Sequence, residues 1–304
     1  MEASRATPAA TVAAVPASGA RQLASDLLAL TKPKVQSLLL LTTVTTMLVA
    51  GSPSIGLIVA TCIGGYLSAG GAGAVNHWYD RDIDAQMART ATRPIPSGRL
   101  APRTALWFGI ALGVLGFVWL SLTANVLAAS LSFSGFLGYT LMYTVWLKRR
   151  TWQNIIWGGA AGAVPPLVGW AAVTGGLTGL PIYLFAIVFF WTPPHFWALS
   201  LLMKDEYAKV GVPMLPVVRG EAETRRQILL YSVLLYAVTQ LPFCGGGGLD
   251  AIYLVSSLVL GVVFIGLAVS LQRLATRKAA LRLYLYSLLY LALLFVSMVA
   301  DVKL

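Results

Sequence analysis

A chain of 304 residues, 58% of them hydrophobic and only 11% charged, has too few polar residues to coat a soluble globule. Its formal net charge of +11 could suit nucleic acid, but the basic residues stand in short loops between apolar runs rather than in one patch. Cys62 and Cys244 lie in apolar or Gly-rich surroundings and form neither a disulfide framework nor a CxxC metal site. Packing roles are expected for both, in an all-α membrane protein.

The opening stretch MEASRATPAATVAAVPASGARQLAS is rich in Ala, Ser and Pro and lacks an apolar core long enough for a signal peptide. Residues 1–30 are read as a disordered tail and residues 31–304 as a single domain. Arg5, Arg21 and the shortage of acids would also suit a short mitochondrial transit peptide, although the stretch shows little amphipathic pattern.

About 20 apolar residues cross the ~30 Å hydrocarbon layer of a bilayer as a helix. Nine segments qualify, near 36–52, 55–75, 104–123, 125–147, 154–174, 180–203, 227–244, 249–271 and 280–300. They predict a bundle of nine transmembrane helices around a central cavity that opens to the cytoplasm. With these limits, 21 of the 22 basic residues fall on one side and only Lys303 on the other. The positive-inside rule makes that side cytoplasmic, or the matrix in an organelle, with the N-terminus inside and the C-terminus outside. Nine of the eleven acidic residues share that side, so the chemistry is expected there.

The second span ends in NHWYDRDID, residues 76–84. If the helix continues, Asn76, Asp80 and Asp84 recur every four residues, drifting ~40° and rising ~6 Å per step along one face. Asp82 falls off this stripe. Oxygen ligands on such a ladder suit Mg²⁺, which shares a few carboxylates with substrate phosphates; zinc would want His or Cys, and only His77 is near. The following loop carries Arg89, Arg93 and Arg99, whose guanidinium forks bind phosphate. Lys148, at the end of the fourth span, and Lys32, ahead of the first, are further candidates for an anion. The pattern predicts a diphosphate held through Mg²⁺. The plainer alternative is a helix end in a solvated loop balanced by arginines.

In the fifth span, GGAAGAVPPLVGW either lets helices approach closely or leaves room for a flat ligand. The sixth span carries Pro193 and Pro194, expected to break or kink the helix, followed by His195. If the helix resumes there, Glu206 comes eleven residues later on nearly the same face. Lys204, Asp205 and Glu206 form a second charged cluster. A capping role for His195 and a solvated interface for the cluster are the plain alternatives.

The segment NHWYDRDIDAQMARTATRPIPSGRLAP resembles the first Asp-rich motif of the UbiA-type intramembrane prenyltransferases. YTVWLKRRTWQNIIWGGAAGAVPPLVGW and TPPHFWALSLLMKDEYAKVGVPMLPVV resemble the haem-farnesylating branch of that superfamily, and the likeness runs from about Leu30 to the C-terminus. One departure is clear. Many relatives carry a second pair of aspartates four residues apart, whereas this chain offers Met203, Asp205, Glu206 and Tyr207, which puts a second Mg²⁺ in doubt.

The resemblance implies Mg²⁺ as cofactor on Asn76, Asp80 and Asp84. It implies transfer of farnesyl from farnesyl diphosphate to the 2-vinyl group of haem B, with addition of water, in a bacterial plasma membrane or a mitochondrial inner membrane. On that reading Tyr79, Tyr143 or Phe196 would wall an allylic cation through their ring faces, and His195 would orient water or ligate haem iron. Haem A synthase or oxidase assembly proteins would be the partners that receive the product. An aromatic quinone precursor is the nearest rival acceptor. A transporter is the rival of another class, although the charges cluster at one membrane face rather than the midplane.

Overall fold

The structure, a computed structural model, describes residues 19–304. Residues 1–18 of the expected tail lie outside the described residues. The remainder of that expectation is corrected: Ala20–Leu30 is a helix, α1. Leu30 is fully buried, and Asp26, also buried, pairs with Arg99 at 3.1 Å. A single ion pair at one end and an apolar anchor at the other hold a segment whose composition alone reads as tail.

The spans follow in order as α2 (Pro33–Ala50), α3 (Ile55–Tyr79), the single-turn α4 (Arg81–Asp84), α5 (Pro102–Thr123) and α6 (Val126–Leu137). A π-helix, Gly138–Leu147, continues α6 to the end of the fourth span. Then come α7 (Asn154–Gly162), α8 (Pro165–Thr174), α9 (Gly179–Leu202), α10 (Lys204–Lys209) and α11 (Leu215–Val218). The chain closes with α12 (Gly220–Val238), α13 (Leu241–Cys244), α14 (Ala251–Leu274) and α15 (Arg277–Lys303). Among the described residues nine helical segments are long and apolar enough to cross a membrane, as the hydropathy pattern predicts. Cys62 is half-buried but Cys244 is exposed, so packing does not account for the second cysteine.

The tightest pairing joins α3 to α5. A Cβ on Gly71 would meet the Gly109 carbonyl oxygen at 2.5 Å, and one on Gly109 would meet that of Gly71 at 2.7 Å. Backbones in contact replace the hydrophobic drive that lipid does not supply between spans. This seam holds α3, and with it the ladder at its end.

The prolines act where the pattern did not place them. The fifth span is interrupted between α7 and α8, with Pro165 opening α8 and Ala163 and Val164 outside either helix. The expected break at Pro193 and Pro194 is absent: α9 runs through both. Each proline removes one hydrogen bond to the carbonyl four residues back. Packing of α12 and α15 along α9 holds the helix across the two missing bonds, as neighbouring helices do in membranes. The small residues of the fifth span serve close approach: Cβ atoms added at Gly158, Gly159 and Gly169 would run into Tyr143, Thr192 and the backbone of Thr43.

Candidate active site

The helix α3 ends at Tyr79, and Asp80 is the hinge between α3 and α4. The expected continuous helix is therefore broken, yet its register survives, because Asp80 N donates to Asn76 O (2.9 Å) and Asp84 N to Asp80 O (2.8 Å). Asn76, Asp80 and Asp84 are all buried. The side chain of Asp82 is 56% exposed, off the stripe as the angular argument requires.

Each residue of the ladder has an oxygen held by a cation of its own. Lys32 Nζ donates to Asn76 Oδ1 at 2.6 Å, Lys148 Nζ is ion-paired with Asp80 Oδ2, and Arg93 donates to Asp84 Oδ2 at 2.7 Å. Asn76 Nδ2 donates in turn to Asp80 Oδ2 (2.7 Å) and Thr144 Oγ1 (3.2 Å). Burial pushes the Lys32 ammonium down to about 8, with Arg93 adding to the fall and Asp80 and Asp84 opposing it. Lys32 takes a left-handed backbone conformation, φ 54°, to deliver this side chain ahead of α2; such a conformation in a non-glycine residue marks a position under constraint.

Arg149 joins Asp82 through two bonds of 2.6 and 2.7 Å, reaches Asp80 Oδ1 at 3.4 Å, and lies over the Tyr79 ring at 4.8 Å. The fork holds the Asp82 carboxyl below its usual range and raises the guanidinium in return. It also covers one face of Tyr79, which weakens the case for that ring as a cation wall. Arg89 is exposed and makes no ion pair among the described residues. Arg99, expected over the ladder, is instead committed to Asp26.

The π-helix sets the wall opposite α3. Its wider turn brings Thr144 Oγ1 to Tyr139 O (2.8 Å) and Lys148 N to Tyr143 O (2.8 Å), both five residues back. Tyr139 and Tyr143 pack ring to ring, 5.3 Å between centroids, and Tyr139 OH accepts from Lys32 Nζ at 3.4 Å. Tyr143 is buried. Phe196 is half-buried against the main core and touches none of these groups. Tyr207, on α10, is buried and has its hydroxyl raised mainly by that burial, with Arg89 and Arg93 opposing.

Tyr139, Thr144, Arg149 and Tyr207 are the site residues that sequence reasoning missed. The run Lys148-Arg149-Arg150 offered a signal for Arg149, but nothing in the pattern says which of the three turns inward. Several buried polar atoms lack a hydrogen-bond partner among the described residues, including both ring nitrogens of His77, Nε of Arg149 and Oε2 of Glu206.

The second cluster divides. Lys204 pairs with Glu221 at 3.0 Å and Asp205 is exposed. Met203 leaves helical geometry, φ −119°, so α10 starts anew and does not extend α9. The shared face expected for His195 and Glu206 is thereby lost, and no contact joins them among the described residues. His195 is instead stacked between Trp191 (4.3 Å) and Tyr284 (4.9 Å), with Nδ1 2.6 Å from Ser287 Oγ.

The donor set fits a hard divalent cation: an amide oxygen and two carboxylates on one buried stripe, all oxygen. No group of three His, Cys, Asp or Glu residues that could hold a metal occurs among the described residues; the third ligand here is an amide. Lys32, Lys148 and Arg93 now cap the three oxygens that would bind the metal, and on its arrival they would be free to meet phosphate oxygens.

The sequence pattern of the UbiA prenyltransferase family matches residues 39–297. The chain is 54% identical over 283 residues to a protoheme IX farnesyltransferase of Chloroflexus aurantiacus, covering 92% of this chain and 48% of that protein. It is 52% identical over 285 residues to a protoheme IX farnesyltransferase of Symbiobacterium thermophilum, covering 92% and 95%. The chain spans about half the length of the Chloroflexus relative and of those from Roseiflexus. Solved structures share its fold, among them two with TM-scores of 0.76 and 0.67. One concerns digeranylgeranylglyceryl phosphate synthase in membranes, with a TM-score of 0.76, 17% identity and coverage of 92% and 99%. The other is a UbiA homolog of Archaeoglobus fulgidus bound to DMAPP and Mg²⁺, with a TM-score of 0.67, 16% identity and coverage of 90% and 99%.

Proposed function

Because this chain belongs to the UbiA prenyltransferase family, we propose that it transfers farnesyl from farnesyl diphosphate to the 2-vinyl group of haem B, with addition of water, giving haem O and diphosphate. The prenyl diphosphate half of the reading is carried by the ladder: three buried oxygens, each capped by its own cation. The haem half is supported by likeness to protoheme IX farnesyltransferases, one of them matched over nearly its whole length.

Asn76 Oδ1, Asp80 and Asp84 would hold Mg²⁺, which when bound would neutralise charge building on the leaving diphosphate. Lys32, Lys148, Arg93 and the unpaired Arg89 bind the phosphate oxygens, their positive charge fixed in place before the allylic C–O bond breaks. Tyr143, backed by Tyr139, offers a buried ring face beside the ladder and keeps water from the allylic carbon. Vinyl electrons form the new C–C bond to that carbon as its bond to diphosphate breaks, and water adds to the cation left on the vinyl group and gives up a proton. His195, on α9 and away from the ladder's hydrogen-bond network, is assigned to the acceptor side.

The charged ends of the spans face the cytoplasm of a bacterium, with the last residues outside, in keeping with the basic loops. A quinone precursor would use the same diphosphate site, so the acceptor needs its own test. Release of diphosphate from farnesyl diphosphate should require Mg²⁺ and haem B together. Release driven equally well by an aromatic acid would replace haem as the acceptor.

A further inference from the structure

His195 reaches Ser287 through Nδ1, and the hydrogen-bond inventory of that serine decides which atom carries the proton. A hydroxyl has one hydrogen to donate. Ser287 Oγ lies 2.6 Å from Tyr284 O, a carbonyl that can only accept, so the serine hydrogen is committed there. At 2.6 Å from His195 Nδ1, Ser287 Oγ is left with lone pairs alone. Nδ1 must be the donor. In neutral imidazole the other nitrogen is then bare, and Nε2 has no hydrogen-bond partner among the described residues.

The surroundings hold that arrangement. Ser287 is fully buried, and its carbonyl accepts from Trp191 Nε1 at 2.8 Å, so residues one turn apart on α9 both dock on this one position of α15. The imidazole is sandwiched between the Trp191 and Tyr284 rings, tilted by 17° and 26° from them. Stacking on both faces leaves the ring edge as its open direction. We infer that Ser287 is a positioning residue that fixes His195 in the Nδ1–H tautomer, so that Nε2 presents a lone pair ready to ligate the iron of a haem substrate. A metal-bound histidine is ordinarily oriented this way, its second nitrogen donating to a nearby acceptor. The tautomer assignment stands on the geometry alone; the choice of haem iron as ligand rests on the proposed acceptor.

The chain has two histidines, so ¹⁵N-histidine labelling of the full protein in lipid gives two imidazoles, and His195→Asn identifies the signal. Without ligand, His195 should show a protonated Nδ1 and an unprotonated Nε2. A protonated Nε2 in the wild-type protein overturns the inference directly, whatever the acceptor. In Ser287→Ala the proton should move to Nε2, and haem B should bind about 10- to 100-fold more weakly with loss of the histidine-ligated spectrum. Ser287→Thr, which restores a hydroxyl, should recover both. If His195→Asn leaves the haem spectrum unchanged, His195 does not ligate the haem iron and that half fails, while the tautomer result is judged separately. If Ser287→Ala binds haem as the wild type does, Ser287 has no such role.

Discussion

Lys32 Nζ lies 2.6 Å from Asn76 Oδ1, so a residue ahead of the first span closes the top of the ladder at the end of the second. Burial holds this ammonium near 8, and its charge is therefore present below pH 8 and lost above it. Farnesyl diphosphate should bind more weakly as pH rises through about 8, and Lys32→Arg, which stays charged, should abolish that dependence. Stability moves the opposite way. The unfolded chain binds the extra proton between about 8 and the ordinary lysine value, so the Lys32 contribution to stability rises with pH across that window. Binding titrations at pH 7 and 9 check the first claim and unfolding at the same two values the second.

The three aspartates of NHWYDRDID are not equivalent. Asp80→Asn and Asp84→Asn should each lower Mg²⁺-dependent turnover by about 10²- to 10³-fold, the size of effect seen when one electrostatic partner of a developing charge is removed. Both proteins should still insert and extract normally. Asp82 is exposed and paired with Arg149, an interaction of the kind worth about 0–1 kcal/mol. Asp82→Asn should therefore change turnover by less than about fivefold. Equal losses at all three positions would contradict the ladder.

The arginines of the following loop separate by partner. Arg93 is bound to Asp84, and Arg89 is exposed and makes no ion pair among the described residues; replacing either with Gln should raise KM for farnesyl diphosphate, Arg93 by about tenfold or more because charged hydrogen bonds are worth about 1.5–3 kcal/mol. Arg99 holds Asp26 of α1. Arg99→Gln should leave that KM unchanged and lower the melting temperature, because it takes the partner from the buried Asp26 carboxylate.

Contact between the α3 and α5 backbones predicts a packing effect remote from the chemistry. Gly71→Ala should destabilise by about 1–3 kcal/mol, the usual cost of overpacking, because its new Cβ meets the Gly109 carbonyl. Activity should fall along with thermal stability, since α3 carries the ladder. Full stability in detergent melting would show that the seam yields.

Spans and ladder were legible because both rest on periodicity: length and apolar content set the helices, and four-residue spacing survives the hinge at Asp80 through two backbone hydrogen bonds. Tertiary choices were not. Either proline pair could have broken its span, and only the neighbours of α9 explain why Pro193 and Pro194 did not. The π-helix leaves no local signature, which hid the inward turn of Tyr139 and Thr144. Ala20–Leu30 read as tail because one buried carboxylate and its distant arginine are invisible until the chain folds.

Mass spectrometry of haem recovered after purified protein is incubated with farnesyl diphosphate, Mg²⁺ and haem B tests the central claim most directly. Haem B should gain one farnesyl group and one water, in step with diphosphate release, and Asp80→Asn should yield that product about 10²- to 10³-fold more slowly. Haem B recovered unchanged from wild-type protein that binds farnesyl diphosphate and Mg²⁺ would contradict the assigned reaction.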